Sequence, residues 1–280
     1  MKKVVLVFTK VPKAGEVKTR LTEARGGILT PEESSDLYEA CLLDLIDVCL
    51  SVEEADVWIC YNHGGNRSYL DSLLVQVENP LRIAGAFSDQ GGSFDECMQY
   101  ATDYILKSGG EERVADGFVL IGGDLPTIQP HVLRDALNKL EKLSISEFGQ
   151  KAALSEVSRD GQRIGAALVE GACQEGGFDL VGLTCTTDFN FTDVFYNSVG
   201  ITALEMLIDK ANNEQIPFAF VEMVPDVDVP VDLAGLMPVL NAIELAALHD
   251  TTIAVPKRTV AFLKEMGLQS FALPPARESV

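Results

Sequence analysis

The sequence predicts an α/β fold built around a mainly parallel sheet. Two continuous apolar runs, residues 4–8 and 118–121, have the length and composition of strands that are buried on both faces. Amphipathic helical segments separate the strands along the chain, as the right-handed crossovers of a parallel sheet require. A length of 280 residues and a hydrophobic content of 47% fit one large domain with an ample core.

The first half of the chain alternates strands with helices. After the strand at residues 4–8, a helix begins with Thr30 as N-cap, Pro31 in its first turn and Glu33 completing a capping box. Its apolar residues recur every three or four positions to about residue 50, so one face should cover the sheet. Further strands are predicted over 56–61, 81–83 and 117–121, and further helices over 69–75 and 95–106.

The second half is less regular. The turn at residues 159–161 predicts a hairpin between segments 151–157 and 164–169. We predict a main domain over residues 1–245 and a C-terminal helical extension over 246–280, which packs on the domain or forms an interface in a homo-oligomer. The other expected elements are strands over 176–183 and 218–224 and helices over 202–211, 231–249 and 258–266.

Basic residues are concentrated at the start of an acidic chain. The formal net charge is -20, yet seven of the 22 basic residues lie within the first 25 positions. Most of them surround a loop at the carboxyl end of the first strand, where open α/β sheets bind ligands. This predicts a phosphate-bearing small molecule as partner; the alternative is an ordinary solvated surface. The overall acidity opposes binding to nucleic acid or anionic membranes.

Several other classes of site are disfavoured. Six cysteines without Cys-x-x-Cys spacing indicate reduced core thiols. No apolar run suggests a signal-peptide core or a membrane span, so we expect a cytoplasmic protein. The segment from Gly15 to Thr19 lacks the glycines of a P-loop, and no Gly-x-Ser-x-Gly elbow occurs. The histidines lack metal-ligand spacing and are expected at the surface or packed on helices: His63, His131 and His249.

Two acidic motifs are candidates for binding a cation. Asp124 follows a buried strand and two glycines, and Mg²⁺ and Mn²⁺ prefer carboxylate and phosphate oxygens. Stabilisation of the next helix's N-terminus is the alternative role for this carboxylate. Asp226 and Asp228 alternate on an extended segment, which directs both side chains the same way. Their alternative is a turn, with Asp232 capping the following helix.

Four motifs follow one another along residues 3–240: Lys10-Val11-Pro12-x-x-Gly15-x-Val17-Lys18-Thr19-Arg20-Leu21, Gly123-Asp124-Leu125-Pro126, Glu175-Gly176-Gly177-Phe178-x-Leu180-x-Gly182-Leu183 and Asp226-Val227-Asp228-x-Pro230-x-Asp232-Leu233. In this order they resemble the DUF2064 family. The resemblance implies a GT-A-like three-layer sandwich, the fold of nucleotide-diphospho-sugar transferases, and glycosyltransferase activity. It also implies that Lys10, Lys18 and Arg20 hold nucleotide phosphates and that Asp124, with Asp228, binds Mg²⁺ or Mn²⁺.

The chain departs from the family pattern near residues 93–98, where an arginine is missing, and near 199–202, where a Trp-Ser-Thr-like motif is replaced. We predict metal-dependent transfer of a sugar from a nucleoside diphosphate sugar to an unidentified acceptor. Nucleotidyl transfer on the same fold and a non-catalytic nucleotide-binding module are the alternatives. Glu175 is the first candidate for an acceptor-side base because it adjoins paired glycines, followed by Asp179 and Asp193.

Overall fold

The computed structural model describes residues 1–269, and a seven-stranded sheet lies at its centre. One strand, β8, is antiparallel to both of its neighbours, whereas the other neighbouring pairs are parallel. The predicted mainly parallel sheet is therefore confirmed. In their order across the sheet, the strands are β3 (Ile83–Ser88), β2 (Asp56–Tyr61), β1 (Lys3–Thr9), β4 (Gly117–Gly122), β8 (Phe178–Thr184), β7 (Leu168–Ala172) and β9 (Phe218–Val221).

Helices cover both faces of the sheet and make it the middle layer of three. Alternate residues of β1 enter opposite apolar clusters, because strand side chains alternate between the faces: Val5 and Val7 enter one, Val4 and Leu6 the other. The first cluster includes residues of α1 (Pro31–Leu50), α2 (Arg67–Leu74) and α4 (Pro130–Ile145), and the second includes residues of α3 (Phe94–Leu106) and α6 (Ala203–Asn213).

The helix α1 begins as the sequence predicts. The backbone N–H of Glu33 donates to Thr30 Oγ1 at 3.1 Å, and the backbone N–H of Thr30 donates to Glu33 Oε2 at 2.7 Å. Pro31 occupies the first helical position, where no N–H is needed. This reciprocal capping box sets the start of a 20-residue helix that supplies part of the core.

Two predicted strands differ from the structure. Residues Pro80–Arg82 form a short 3-10 turn, and the strand begins only afterwards, at Ile83. The segment predicted as a strand over 151–157 instead starts in the helix α5 (Glu147–Ala152), which Ser146 caps by accepting from the N–H of Gly149. The predicted hairpin is present but short, pairing β5 (Val157–Arg159) with β6 (Gln162–Ile164).

The last two described helices pack against α1 in a third apolar cluster. Leu236 and Leu240 of α7 (Pro230–Ala247) and Leu263 of α8 (Lys257–Glu265) are buried there beside Leu37. The predicted domain boundary at residue 245 falls near the end of α7. Residues 270–280 of the predicted extension lie outside the part of the chain that the structure describes.

The helix α7 is unusually apolar. It is 18 residues long with a mean hydropathy of 1.3, so its length and composition meet those of a membrane span, and 17% of it is buried within the protein. We did not expect such a segment from the sequence. Pro238 lies inside this helix and Asp232 in its first turn.

Candidate functional site

The candidate site lies where the parallel strands end. Asp124 follows the last residue of β4 by two positions. Asp179 is the second residue of β8, which starts at the same edge because it runs in the opposite direction. Cys173 comes directly after β7. Three adjacent strands therefore bring side chains to one edge of the sheet, the place where open α/β folds bind ligands.

Paired glycines after β4 let the backbone approach these side chains closely. A Cβ atom on Gly122 would lie 2.9 Å from Asp124 Oδ1, and one on Gly123 would lie 2.9 Å from the hydroxyl of Tyr38. Both distances are too short for a real Cβ contact. The paired glycines therefore leave room for the polar groups of the site, as the sequence indicates.

The basic loop returns to this edge through a strained residue. Lys18 has a left-handed backbone, with φ of 47°, and a single 3-10 turn over Thr19–Leu21 follows it. Left-handed conformations are costly for residues other than glycine and concentrate at functional sites. Buried Val17 and Leu21 hold the loop against the domain. Only 7% of the Lys18 side chain remains exposed.

Lys18 joins the two acidic motifs. Its Nζ donates to Asp124 Oδ2 and lies 2.8 Å from Asp228 Oδ1. Burial opposes the positive charge of Lys18, but these two carboxylates raise its pKa above the ordinary value. On the exposed side, Arg20 Nη1 donates to Asp228 Oδ2 at 2.6 Å. Segments that are far apart in the sequence thus meet around one ammonium group.

Asp226 lies beside the same pair of carboxylates. Asp124, Asp226 and Asp228 each offer an oxygen, and these oxygens lie within 4.8 Å of one another. Burial and the neighbouring Asp124 raise the pKa of Asp226 to about 6. Burial acts the same way on Asp228, but Lys18 and Arg20 outweigh it and hold its pKa below the ordinary value.

Asp179 occupies the inner end of the cluster. Burial, followed by the charges of Asp124 and Asp226, raises its pKa to about 8. Among residues 1–269, its Oδ2 has no hydrogen-bond partner. Cys173 shares this corner, with its thiol sulfur within 4.8 Å of an oxygen of Asp179. Burial and the neighbouring carboxylates therefore favour the protonated form of the Asp179 carboxyl.

Two side chains fix the segment that carries Asp226 and Asp228. Asp232 Oδ2 accepts from the backbone N–H of Asp228 at 3.0 Å and from that of Val229 at 2.8 Å. Gln174 Oε1 accepts from the N–H of Asp226 at 3.2 Å. Asp232 thus closes the first turn of α7 on the preceding backbone, in the capping role that the sequence predicts.

The other residues selected from the sequence lie at the surface. Lys10 is exposed next to the site, Glu175 is exposed in a left-handed turn before β8, and Asp193 is exposed in a separate loop. Tyr38 was not identified from the sequence, yet its hydroxyl lies 2.6 Å from Thr9 Oγ1. Its position in α1 has the spacing of a core residue, so only the fold reveals its place at the site.

The donor atoms fit a hard divalent cation. Mg²⁺ and Mn²⁺ bind carboxylate oxygens, and this cluster offers three carboxylates in reach of one another. Two carboxylates about 4 Å apart repel by about 4 kcal/mol at an effective dielectric of about 20, which a cation relieves. In the present arrangement Lys18 provides part of that relief. Asp124 and Asp228 are the expected ligands, with Asp226 beside them.

Comparison with known proteins identifies the family. The sequence profile of a family described as an uncharacterised protein conserved in bacteria, DUF2064, matches residues 45–198, which is more than half of the chain. This chain belongs to the DUF2064 family. The matched part contains Asp124, Glu175 and Asp179, whereas the basic loop and residues 226–228 lie outside it. No curated protein sequence matches the chain.

One solved structure confirms the fold of this DUF2064 protein. A protein from Desulfovibrio desulfuricans G20, described provisionally as a nucleotide-diphospho-sugar transferase, superimposes with a TM-score of 0.66 at 21% identity, over 95% of this chain and 98% of that one. The GT-A-like, nucleotide-diphospho-sugar transferase fold is therefore confirmed. CMP:2-keto-3-deoxy-manno-octonic acid synthetase complexed with CTP gives a TM-score of 0.43 at 12% identity, covering 86% of this chain and 99% of that one. A 4-diphosphocytidyl-2C-methyl-D-erythritol synthase gives 0.44 at 12% identity, covering 85% and 98%.

Proposed function

We propose that this DUF2064 protein binds a nucleoside diphosphate sugar together with Mg²⁺ or Mn²⁺ and transfers the sugar to an acceptor. The observation that carries the proposal is the meeting of three carboxylates with Lys18 and Arg20 at the ligand-binding edge of the sheet. A diphosphate requires cationic partners and a divalent metal requires carboxylates, and this place offers both. With a net charge of -20, the protein has few other places that attract an anion.

The basic side chains of the candidate site differ in their exposure to solvent. Lys10 is exposed and Arg20 is 53% exposed, so both can reach a phosphate without leaving the solvent edge of the site. Lys18 is enclosed and keeps Asp124 and Asp228 together, with its ammonium at the inner side of the same space. When bound, the divalent cation would offset the charge that develops on the departing diphosphate.

Asp179 is the residue that we favour as proton acceptor on the acceptor side. Glu175 adjoins the paired glycines but is exposed in its turn, whereas Asp179 belongs to the carboxylate cluster. Burial and the neighbouring carboxylates raise the pKa of Asp179 towards neutrality, and a bound cation would lower it again and leave a carboxylate that can accept a proton. Glu175 remains the alternative.

Calorimetric titration tests the binding part of the proposal. We expect a nucleoside diphosphate to bind more tightly with Mg²⁺ or Mn²⁺ than with a chelator, and titration of the uridine, guanosine, adenosine and cytidine forms identifies the base. Asp124→Asn, which keeps the shape of the side chain, should lose this metal dependence while keeping the fold, with a modest loss of stability because Lys18 loses one of its two carboxylate partners. Failure of all four diphosphates to bind contradicts the proposal.

Product analysis tests the reaction itself. Incubation with nucleoside diphosphate sugars and candidate acceptors should release a nucleoside diphosphate. Release of inorganic diphosphate from a nucleoside triphosphate and a sugar phosphate would instead indicate nucleotidyl transfer. Tight binding with neither product would indicate a non-catalytic nucleotide-binding module.

A further inference from the structure

A second group of metal-binding side chains lies at the same edge of the sheet, beyond the strands that form the candidate site. His63 follows β2 by two residues, Asp89 directly follows β3, and Cys97 lies in the first turns of α3. The ring nitrogen Nδ1 of His63, a carboxylate oxygen of Asp89 and the sulfur of Cys97 all lie within 4.8 Å of one another. None of these residues belongs to the four motifs that carry the family resemblance, Cys97 stands in the segment where the chain departs from the family pattern, and the proposed sugar transfer uses none of the three.

The backbone holds the three side chains together. The N–H of His63 donates to Asp89 Oδ1 at 2.6 Å, and the N–H of Asp89 donates to the carbonyl of Tyr61 at 2.7 Å. Gly91, with φ of 150°, closes the loop against α3, because a Cβ there would lie 2.7 Å from the Cβ of Glu96. The ends of two strands and the start of a helix therefore form one rigid corner.

The charge of this corner is incompletely balanced. Asp89 is 5% exposed, and His63 is the basic side chain that pairs with it within residues 1–269, at 3.0 Å from Nδ1. A buried carboxylate requires a cationic partner or several hydrogen bonds. A divalent cation bound to one carboxylate and one thiolate gives a neutral group.

We propose that His63, Asp89 and Cys97 form a second cation site, for a borderline-soft divalent metal of the zinc class. Nitrogen, oxygen and sulfur donors together are the ligands that zinc selects over magnesium. His63 has a 63% exposed side chain and gives the ion access from solvent, which also supplies the remaining ligand. Binding deprotonates the Cys97 thiol, forms a metal–sulfur bond and releases one proton to water.

Metal uptake should release the thiol proton of Cys97 and weaken as the pH falls, because a metal-bound cysteine sulfur is a thiolate. Once bound, the ion would join the ends of β2 and β3 to α3. The expected role is structural, and it does not depend on the proposed sugar transfer.

Titration with Co²⁺, a spectroscopic substitute for zinc, tests the site in the full chain. We expect a thiolate-to-cobalt charge-transfer band that saturates at about one equivalent and is displaced by Zn²⁺. Cys97→Ser should abolish the band, and His63→Ala should weaken Co²⁺ binding by more than about tenfold. Zn²⁺ should also raise the melting temperature of the wild type more than that of His63→Ala.

Cys173→Ser is the matched control, because Cys173 lies beside carboxylates of the candidate active site. Retention of the band in this variant supports the proposal. A wild type without a thiolate band, or a band that is lost in Cys173→Ser and kept in Cys97→Ser, overturns it. His63→Ala decides alone if Cys97→Ser does not fold, because the His63 side chain is 63% exposed and its removal opens no cavity in the core.

Discussion

Lys18 is a cation placed between the carboxylates expected to hold a metal. Replacement by methionine leaves Asp124 and Asp228 without this partner. Breaking a fully buried pair costs about 3 to 5 kcal/mol. The carboxylates are 22% and 38% exposed, so we expect a loss of about 1 to 3 kcal/mol in the free energy of unfolding without metal.

A divalent cation should recover much of this loss, because it binds the folded state alone. Chemical denaturation of Lys18→Met with and without Mn²⁺ measures both effects. Arg20→Met is the control, since Arg20 is 53% exposed and its pair with Asp228 should contribute less than about 1 kcal/mol. Absence of any stabilisation by Mn²⁺ in both Lys18→Met and wild type would contradict a metal site at these carboxylates.

Glu170 provides a pH-dependent prediction away from the carboxylate cluster. It is 4% exposed in β7, and burial raises its pKa to about 7 from an ordinary value of 4.5. Between these values the folded state binds more protons than the unfolded state, so stability falls as the pH rises. Glu170→Gln should remove this fall and gain about 1 to 3 kcal/mol on the wild type between pH 4 and pH 8.

Urea denaturation at the two pH values measures the difference for Glu170→Gln. Glu156→Gln is a suitable comparison, because the side chain of Glu156 is 87% exposed and its replacement should leave the pH dependence unchanged. A parallel pH profile for wild type and Glu170→Gln would show that Glu170 is ionised in the folded protein.

Individual site residues could be predicted where they follow the end of a recognisable strand or belong to an unusual charged segment. Asp124 follows a buried apolar run and two glycines, and Lys18 belongs to a basic segment in an acidic chain. Asp179 is harder to rank, because its burial depends on three neighbouring strands rather than on local sequence. Nothing in the local sequence distinguishes Tyr38, because its position in α1 fits the spacing of ordinary core residues.

Helices and strands were likewise predicted correctly where local sequence determines them, and wrongly where packing between distant segments does. The start of α1 is encoded locally by Thr30 and Glu33, and it was predicted correctly. The strand β3 was misplaced because its sequence is rich in small residues and has little alternation. Gly85 is required there by the ring of Trp58, whose Cζ3 would lie 2.5 Å from an added Cβ. Such packing between strands cannot be read from one segment.

The first turn of α7 yields a prediction at this scale. Asp232 holds the backbone of Asp228 and Val229, and its removal should loosen the segment that carries the expected metal ligands. We expect Asp232→Ala to weaken metal-dependent nucleotide binding about fivefold, the equivalent of one hydrogen bond of about 1 kcal/mol. Asp232→Asn keeps an acceptor oxygen and should bind nearly as the wild type does. Equal losses in both variants would indicate that the charge of Asp232, not its position, matters.

At the scale of the whole molecule, the layered architecture was predictable because buried parallel strands must be covered by helices on both faces. The position of the C-terminal helices in the fold could not be predicted from the sequence. The surface on which α8 packs is made by α1, more than 200 residues earlier in the chain, and no local pattern specifies it. An ionic contact fixes this arrangement: Arg258 Nη1 lies 3.1 Å from Asp44 Oδ1 and 2.6 Å from Asp47 Oδ2.

Replacement of Arg258 tests whether α8 belongs to the folding unit. Asp44 has a 3% exposed side chain and also accepts from the backbone N–H groups of Arg258 and Thr259. Arg258→Met leaves Asp44 without its cation, so we expect a loss of about 3 kcal/mol and a melting temperature lower by about 6 to 12 °C. Lys257→Met is the matched control, since the Lys257 side chain is 75% exposed and pairs with an exposed carboxylate. If the two variants melt within about 2 °C of each other, α8 is an appendage; a large difference with a single cooperative transition shows that it completes the core.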